Sequence, residues 1–118
     1  MTRSDWAKKH KSCWVCGWTV DRYKEGRFRL ETHEVARGPS KKKAMLAPTA
    51  WVRVCNCCHS EMGDYSIWPI SRQYALKALH DISNYDRVAL NKLRDREPEA
   101  ITDADVHVWL ETLESVLK

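Results

Sequence analysis

The sequence predicts an α+β fold, in which a small, cysteine-rich ββα unit precedes a C-terminal helical segment. Two C-x2-C pairs enclose a stretch of strand-like segments. Beyond about residue 68, apolar residues instead recur at helical spacing. The 118 residues, with six Trp and four Tyr, are enough to bury a core. We therefore expect a basic unit over residues 1–67 and a helical extension over residues 68–118 that packs on it, together one structural unit.

The first part of the chain predicts an arm followed by two strands. Residues 1–11 are polar and basic, which favours a short arm or a frayed helix. Trp18–Tyr23 and Arg27–His33 are strand-like, and Lys24–Gly26 between them is a turn signal. Gly17 follows the first cysteine pair directly and gives the backbone the freedom that a tight turn needs.

The middle of the chain predicts a loop and then a strand. Gly38–Pro48 begins with Gly-Pro-Ser and contains three consecutive lysines, so we expect a loop there. Trp51–Cys55 predicts a short strand. Cys58 and His59 should then open a helix or a tight turn.

Two helices are predicted after the cysteine-rich unit. Pro69 suits the first position of a helix that continues to about His80. Ser83 or Asn84 is the expected N-cap of the next helix, which should end near Arg96.

A third predicted helix ends the chain. Thr102 followed by Asp105 resembles a capping box, with Asp in place of the usual Glu. The apolar positions after it follow the i, i+3, i+4, i+7 rule, which predicts a helix face that packs on the cysteine-rich unit. A dimer interface is the alternative use of that face, whose residues are Val106, Trp109, Leu110, Leu113, Val116 and Leu117.

Charge is unevenly distributed along the chain. Residues 1–59 carry 13 Lys and Arg against 5 Asp and Glu, whereas residues 60–118 carry 7 against 11. The cysteine-containing half is therefore the basic half. Such a field favours a polyanion such as DNA as partner, and an ordinary solvated surface is the alternative.

The sequence also predicts in which cellular compartment the protein is located. No run approaches the roughly 18 apolar residues of a membrane span. The first ten residues carry charge but no apolar signal-peptide core. We therefore expect a reducing, cytoplasmic location.

The cysteine pairs predict a structural zinc site. Structural zinc takes four ligands in a tetrahedron, and each C-x2-C turn supplies two of them. In a reducing compartment this spacing indicates a metal rather than disulfides. We expect Cys13, Cys16, Cys55 and Cys58 to hold one Zn²⁺. Cys57 is left over, as a replacement ligand, a small buried apolar residue or an inert thiol.

The order of the motifs resembles the zinc-stapled HNH nuclease family, in particular the small HNH-type proteins of bacteriophages. The first C-x2-C pair precedes Thr32-His33-Glu34, and the second ends in Cys58-His59. The resemblance covers about residues 13–63. It implies a ββα-metal site inside a treble-clef-like zinc frame, DNA as substrate and, for a phage protein, the host cytoplasm as location.

The resemblance also implies the catalytic residues. His33 and His59 would hold a divalent ion such as Mg²⁺ or Mn²⁺, and Glu34 would act as general base. In the alternative alignment His33 is the base and Thr32 the ligand. The implied reaction is metal-assisted hydrolysis of a phosphodiester. Flanking phosphates would be bound by four basic residues: Arg37, Lys41, Lys42 and Lys43.

The main alternative is a non-catalytic treble clef that binds nucleic acid or a host protein. The family's middle Asn falls on Ala50 and its second helix His on Gly63, which favours this alternative. A third possibility is a phage factor that binds a host protein through the acidic helical half. Simpler roles exist for single residues as well, such as packing of His59 on the cysteine turn and pairing of Glu34 with Arg37.

Overall fold

The computed structural model describes residues 1–19, 29–36 and 38–117, with side chains up to residue 114. Within these residues the fold is α+β, as predicted. The elements, in chain order, are α1 (Arg3–Lys9), β1 (Leu30–Glu34), α2 (Ser40–Ala44), a 3-10 helix (Pro48–Ala50), β2 (Trp51–Cys55), α3 (Asn56–Met62), α4 (Ile70–His80), α5 (Arg87–Leu93) and α6 (Asp103–Leu117).

Strands β1 and β2 form an antiparallel pair. Leu30 lies opposite Cys55 and Glu34 lies opposite Trp51, with no irregularity between them. The valines and tryptophan of β2 suit a pleated, buried surface, and the predicted strand Trp51–Cys55 is confirmed. The prediction Arg27–His33 is confirmed where it overlaps β1.

The other predicted strand lies mostly outside the described residues. Thr19 forms an isolated antiparallel bridge with Ser12. Residues 20–28, which include the predicted turn Lys24–Gly26, are not among the residues that the structure describes.

The N-terminal arm is a docked helix rather than a frayed one. The Thr2 side chain caps α1 by accepting a hydrogen bond from the backbone N–H of Asp5 at 3.0 Å. Trp6 is only 1% exposed, and its indole N–H donates to a carboxylate oxygen of Asp81 at 2.8 Å. Burial of this large side chain stabilises α1, an effect that residue polarity alone does not predict.

A buried lysine joins three elements at the centre of the molecule. The ammonium of Lys77 on α4 donates to the carbonyl oxygen of Trp51 at 2.8 Å and to Asp81 at 2.7 Å. The same carboxylate accepts from Trp6 of α1. The pair Lys77–Asp81 therefore ties α1, β2 and α4 together in the core.

The predicted loop Gly38–Pro48 is partly helical, so that prediction is wrong over its central residues. Ser40–Ala44 form α2 and Pro48–Ala50 form the 3-10 helix. Lys and Ala are good helix formers. In addition, Ala44 is buried and its carbonyl oxygen accepts from the indole N–H of Trp51 at 2.9 Å.

The first two predicted C-terminal helices exist, but one begins later than predicted. Helix α4 ends at His80, as predicted, and Pro69 is its N-cap residue. Helix α5 spans Arg87–Leu93, and its cap is Asp86, which accepts from the backbone N–H of Ala89 at 3.0 Å. Asn84 is not the cap, since its amide donates to Asp81 instead.

The predicted cap of the last helix, α6, is confirmed. Thr102 and Asp105 exchange two backbone-to-side-chain hydrogen bonds of 3.2 and 2.9 Å. Val106 and Leu113 are buried, as the apolar periodicity predicts. However, α6 packs chiefly against α4, where the indole N–H of Trp109 donates to Ser71 at 3.0 Å. Within the described residues, no helix combines the length and the apolar composition needed to cross a bilayer.

Candidate metal centre and histidine cleft

The four predicted cysteines lie together. Their sulfur atoms are all within 4.8 Å of one another, and the Sγ atoms of Cys16 and Cys55 are 3.8 Å apart. A tetrahedral zinc–thiolate site with bonds of about 2.3 Å has edges of about 3.8 Å. The cluster therefore has the size that a tetrahedral metal ion requires.

A tight turn supplies the first two cysteines. The backbone N–H of Gly17 donates to the carbonyl oxygen of Cys13 at 2.9 Å, and Gly17 has a φ of +77°. A residue with a side chain is strained in that conformation, which confirms the role predicted for this glycine. The turn also brings the backbone N–H of Cys16 to within 3.5 Å of the sulfur of Cys13.

The start of α3 supplies the other two cysteines. Cys55 is the N-cap residue of α3, and its sulfur accepts from the backbone N–H of Cys58 at 3.5 Å. Because free N–H groups and the helix dipole favour negative charge at a helix N-terminus, this position suits thiolates. The turn from Cys13 to Gly17 lies against β2, where the backbone N–H of Trp14 donates to the carbonyl oxygen of Arg53 at 2.9 Å.

The donor set fits a cation. Burial, followed by the nearby Cys13 and Cys55, raises the pKa of Cys58 well above its usual range. Several thiolates this close together need a positive charge between them, and sulfur ligands in this number suit zinc. The fifth cysteine, Cys57, is exposed on α3, which rules out the buried apolar residue among its expected roles.

The two predicted catalytic histidines also meet. His33 on β1 and His59 on α3 have ring centroids 5.1 Å apart, with their planes nearly perpendicular. They line one cavity of about 140 Å³ together with Lys41, Tyr65, Ala36 and Gly63. We call this cavity the histidine cleft.

A hydrogen bond to Glu31 fixes the orientation of the His59 ring. The Nδ1 atom of His59 lies 3.0 Å from one carboxylate oxygen of Glu31, and Arg29 donates to the other oxygen at 3.0 Å. Burial raises the pKa of Glu31, but the hydrogen bonds from His59 and Arg29 outweigh it, so the pKa is lowered overall. The carboxylate is thus ionised at neutral pH and leaves Nε2 of His59 available.

The ring of His33 is held in the same way by a residue of α4. Its Nε2 atom lies 2.7 Å from the side-chain oxygen of Gln73, which is fully buried. Burial lowers the pKa of His33 to about 4, against a usual value of 6.5. His33 is therefore neutral at pH 7 and has one ring nitrogen with a free lone pair, as a metal ligand requires.

Glu34 does not join the histidines. Successive residues of a strand point to opposite faces, and the register of β1 is regular at this point. Glu34 instead forms a salt bridge with Arg3 of α1. Thr32 also lies apart from the cleft, since its hydroxyl accepts from Arg53 at 3.3 Å.

The predicted phosphate-binding residues occupy different positions. Lys41 is exposed at the histidine cleft. Lys42 is exposed on α2, and Lys43 pairs with Asp95 at 3.3 Å. Arg37 lies outside the described residues.

A second, wider groove adjoins the histidine cleft. The two share His59 and Gly63, and Arg29 and Glu31 line the wider one. Its remaining lining residues are Asn56, Cys57 and Ser60. The histidines thus lie where a small cleft opens into a broad surface groove.

Sequence reasoning missed two residues that contact the histidines. Glu31 could have been found, since it lies two residues before His33 and period-two alternation puts both on one face of β1. Gln73 could not, because it is 40 residues away from His33 on a helix whose docking the sequence does not specify.

Comparison with known proteins identifies no relative. The chain matches no family model, and neither a curated protein nor a solved structure shows significant similarity to it. Function is therefore inferred from the residues of the site.

Proposed function

We propose that this protein is an HNH-like zinc protein that binds DNA and cleaves it by divalent-metal-assisted phosphodiester hydrolysis. One observation carries the proposal. Two imidazoles from β1 and α3 converge on one cleft beside the cysteine cluster, and an acceptor side chain holds one nitrogen of each ring. This is the arrangement of paired ligands with oriented rings that a metal site uses.

The surrounding framework supports the resemblance to HNH proteins. A cysteine turn is followed by the antiparallel pair β1–β2 and then by α3, whose N-terminus carries the second cysteine pair. His33 lies on the first strand and His59 on the helix, as in the family pattern. Zn²⁺ in the cysteine cluster would fix these elements relative to one another, because site formation and folding are coupled.

A divalent ion would bind in the histidine cleft. His33 would use its Nδ1 atom and His59 its Nε2 atom, since the other nitrogen of each ring is engaged. Imidazole ligands suit Ni²⁺, Zn²⁺ and similar ions better than Mg²⁺, which prefers oxygen. The bound ion would act as a Lewis acid toward the scissile phosphate and its leaving oxygen.

The basic residues around the cleft would hold the DNA backbone. Lys41 lines the histidine cleft and Arg29 lines the adjoining groove, and His59 lines both. Phosphates bound at both positions would keep the DNA backbone close to His59. Binding of this kind weakens steeply with salt, because counterions are released from the DNA.

The proposal leaves Glu34 outside the reaction. Its carboxylate is engaged by Arg3 on the opposite face of β1. In the proposed reaction the two histidines, rather than the pair His33-Glu34, would contact the reacting phosphate or its ion.

A plasmid-nicking assay tests the proposal. Zinc-loaded protein is incubated with supercoiled plasmid and Mg²⁺, Mn²⁺ or Ni²⁺, beside His33→Ala, His59→Ala and the control His107→Ala. His107 is exposed on α6 and pairs with Glu111 at the surface. We expect wild type and the control to nick DNA, and both cleft variants to lose about 100-fold or more in rate, because removal of a ligand should cost at least as much as the loss of its hydrogen-bond partner, about 10- to 100-fold.

A non-catalytic DNA-binding module is the second candidate. The position of the family's middle Asn is the buried Ala50, and Gly63 brings no imidazole to the cleft that it lines. Salt-sensitive DNA binding without nicking in any metal, by folded and zinc-loaded protein, would establish this alternative and overturn the nuclease.

A further inference from the structure

The side chain of Gln73 connects the helical segment to the histidine cleft. Gln73 lies in the second turn of α4 and is fully buried. Its amide nitrogen donates to the backbone carbonyl oxygen of Trp68 at 2.9 Å. Its amide oxygen lies 2.7 Å from Nε2 of His33.

These two contacts fix the orientation of the amide. A backbone carbonyl oxygen can only accept a hydrogen bond, so the NH₂ group of Gln73 must face Trp68. A flipped amide would put two oxygens against each other in the core and would face His33 with a donor. The oxygen of Gln73 therefore faces His33.

The orientation of the amide in turn fixes the proton on His33. An amide oxygen is an acceptor, so Nε2 of His33 must be the protonated nitrogen. A neutral imidazole carries one proton, and the low pKa of this buried ring keeps it neutral at pH 7. Nδ1 then carries the lone pair.

We infer that Gln73 is a positioning residue that holds His33 as its Nε2–H tautomer and so presents Nδ1 to a ligand in the histidine cleft. The use of Nδ1 for a divalent ion rests on the proposed function, but the tautomer does not. The helical segment is thereby part of the site: the chain of contacts runs from Trp68 through Gln73 to His33. Residues that fix a ligand's tautomer in this way typically change metal affinity 10- to 100-fold when removed.

A second buried hydrogen bond on α4 provides a matched control. The hydroxyl of Tyr74 donates to Asn91 at 2.9 Å, and Tyr74 is as buried as Gln73. Tyr74→Phe removes this hydrogen bond and the one that the Tyr74 hydroxyl accepts from Arg94 at 3.3 Å, in the same helix turn and without a contact to His33. A loss due only to weaker packing of α4 should therefore appear in both variants.

The tautomer is measured on the zinc-loaded, ¹⁵N-labelled full chain by long-range ¹H–¹⁵N NMR of the imidazoles, with His33→Ala used for assignment. We expect wild type and Tyr74→Phe to show a protonated Nε2 and an unprotonated Nδ1 at His33. Gln73→Leu, which removes the acceptor, should show a mixture of tautomers. A wild-type His33 protonated at Nδ1 would overturn the inference even if no variant folds.

Calorimetric titration with Ni²⁺, with zinc content checked afterwards, gives the second readout. Gln73→Leu should weaken binding about 10- to 100-fold and Tyr74→Phe should leave it unchanged. If Gln73→Leu keeps both the pure tautomer and the wild-type affinity, the inference is wrong. A wild type with the expected tautomer that neither binds Ni²⁺ nor nicks DNA would instead support the role of Gln73 and overturn the nuclease.

Discussion

The cysteine cluster and the histidine cleft are neighbouring sites built in different ways. Cys58 and His59 are consecutive on α3, yet one belongs to the cluster and the other to the cleft. The cluster consists of four like side chains from two short turns. The cleft consists of two histidines, each held by a residue from elsewhere in the fold, Glu31 or Gln73.

This difference concerns how each site is stabilised. In the cluster, the cysteine ligands join the turn from Cys13 to Gly17 to α3. Loss of one ligand should therefore unfold the structure around the metal site. In the cleft, the histidines already have hydrogen-bond partners inside the protein. The cleft should therefore fold without a bound metal ion, unlike the cluster.

The largest effect is expected for Cys55→Ser. Structural zinc sites contribute apparent binding energies on the order of 10–16 kcal/mol that are also folding energy. The variant should lose zinc and unfold the N-terminal half, as measured by zinc content and circular dichroism. Cys57→Ser is the matched control, because Cys57 is exposed and outside the cluster. Full zinc content and an unchanged melting curve in Cys55→Ser would refute the four-cysteine site.

The next effect is a pH dependence of stability that originates in the cleft. The pKa of His33 is about 4 in the folded protein, so between about pH 4 and 6.5 the unfolded chain binds more protons there. Stability should therefore fall as the pH falls through this window, by up to roughly 1.4 kcal/mol per pH unit. Urea unfolding of wild type and His33→Gln, at pH values where zinc remains bound, measures it. Parallel pH profiles would show that His33 does not titrate as its burial requires.

A smaller effect should distinguish the two faces of β1. Glu31→Gln weakens the group that orients His59 and should lower nicking and Ni²⁺ affinity about 10-fold or more. Glu34→Gln removes the ion pair with Arg3 and should leave both nearly unchanged, with a loss of stability of about 1–3 kcal/mol because the Glu34 carboxylate is buried. Equal loss of nicking in the two variants would mean that the strand presents both carboxylates to the site.

The smallest effect is expected for zinc retention in His59→Ala. His59 is one residue from a cysteine of the cluster but its ring contacts Glu31 and His33. The variant should keep full zinc content, with a change in stability within about 1 kcal/mol. Loss of zinc would instead make His59 part of the structural site and remove the distinction between cluster and cleft.

Some secondary-structure elements could be predicted from local sequence patterns, and others could not. Trp51–Cys55 and the capping box at Thr102 were predicted because alternation and capping act over a few residues. The docking of helix α1 and the existence of helix α2 were missed because Trp6 and Ala44 are buried against other elements. The late start of α5 has a local cause instead, since the side chain of Asn84 donates to Asp81 three residues earlier and does not cap the helix.

The sequence alone determined the cysteine cluster, because a C-x2-C turn brings two sulfurs together wherever it lies, and it pointed to His33 and His59. Tertiary structure decided which side chains accompany them. The regular register of β1 sends Glu34 to Arg3 and Glu31 to His59. The packing of α4 brings the side chain of Gln73 into hydrogen-bond contact with His33. Such contacts join residues far apart in the chain, and only the packing of strand, helix and buried lysine fixes them.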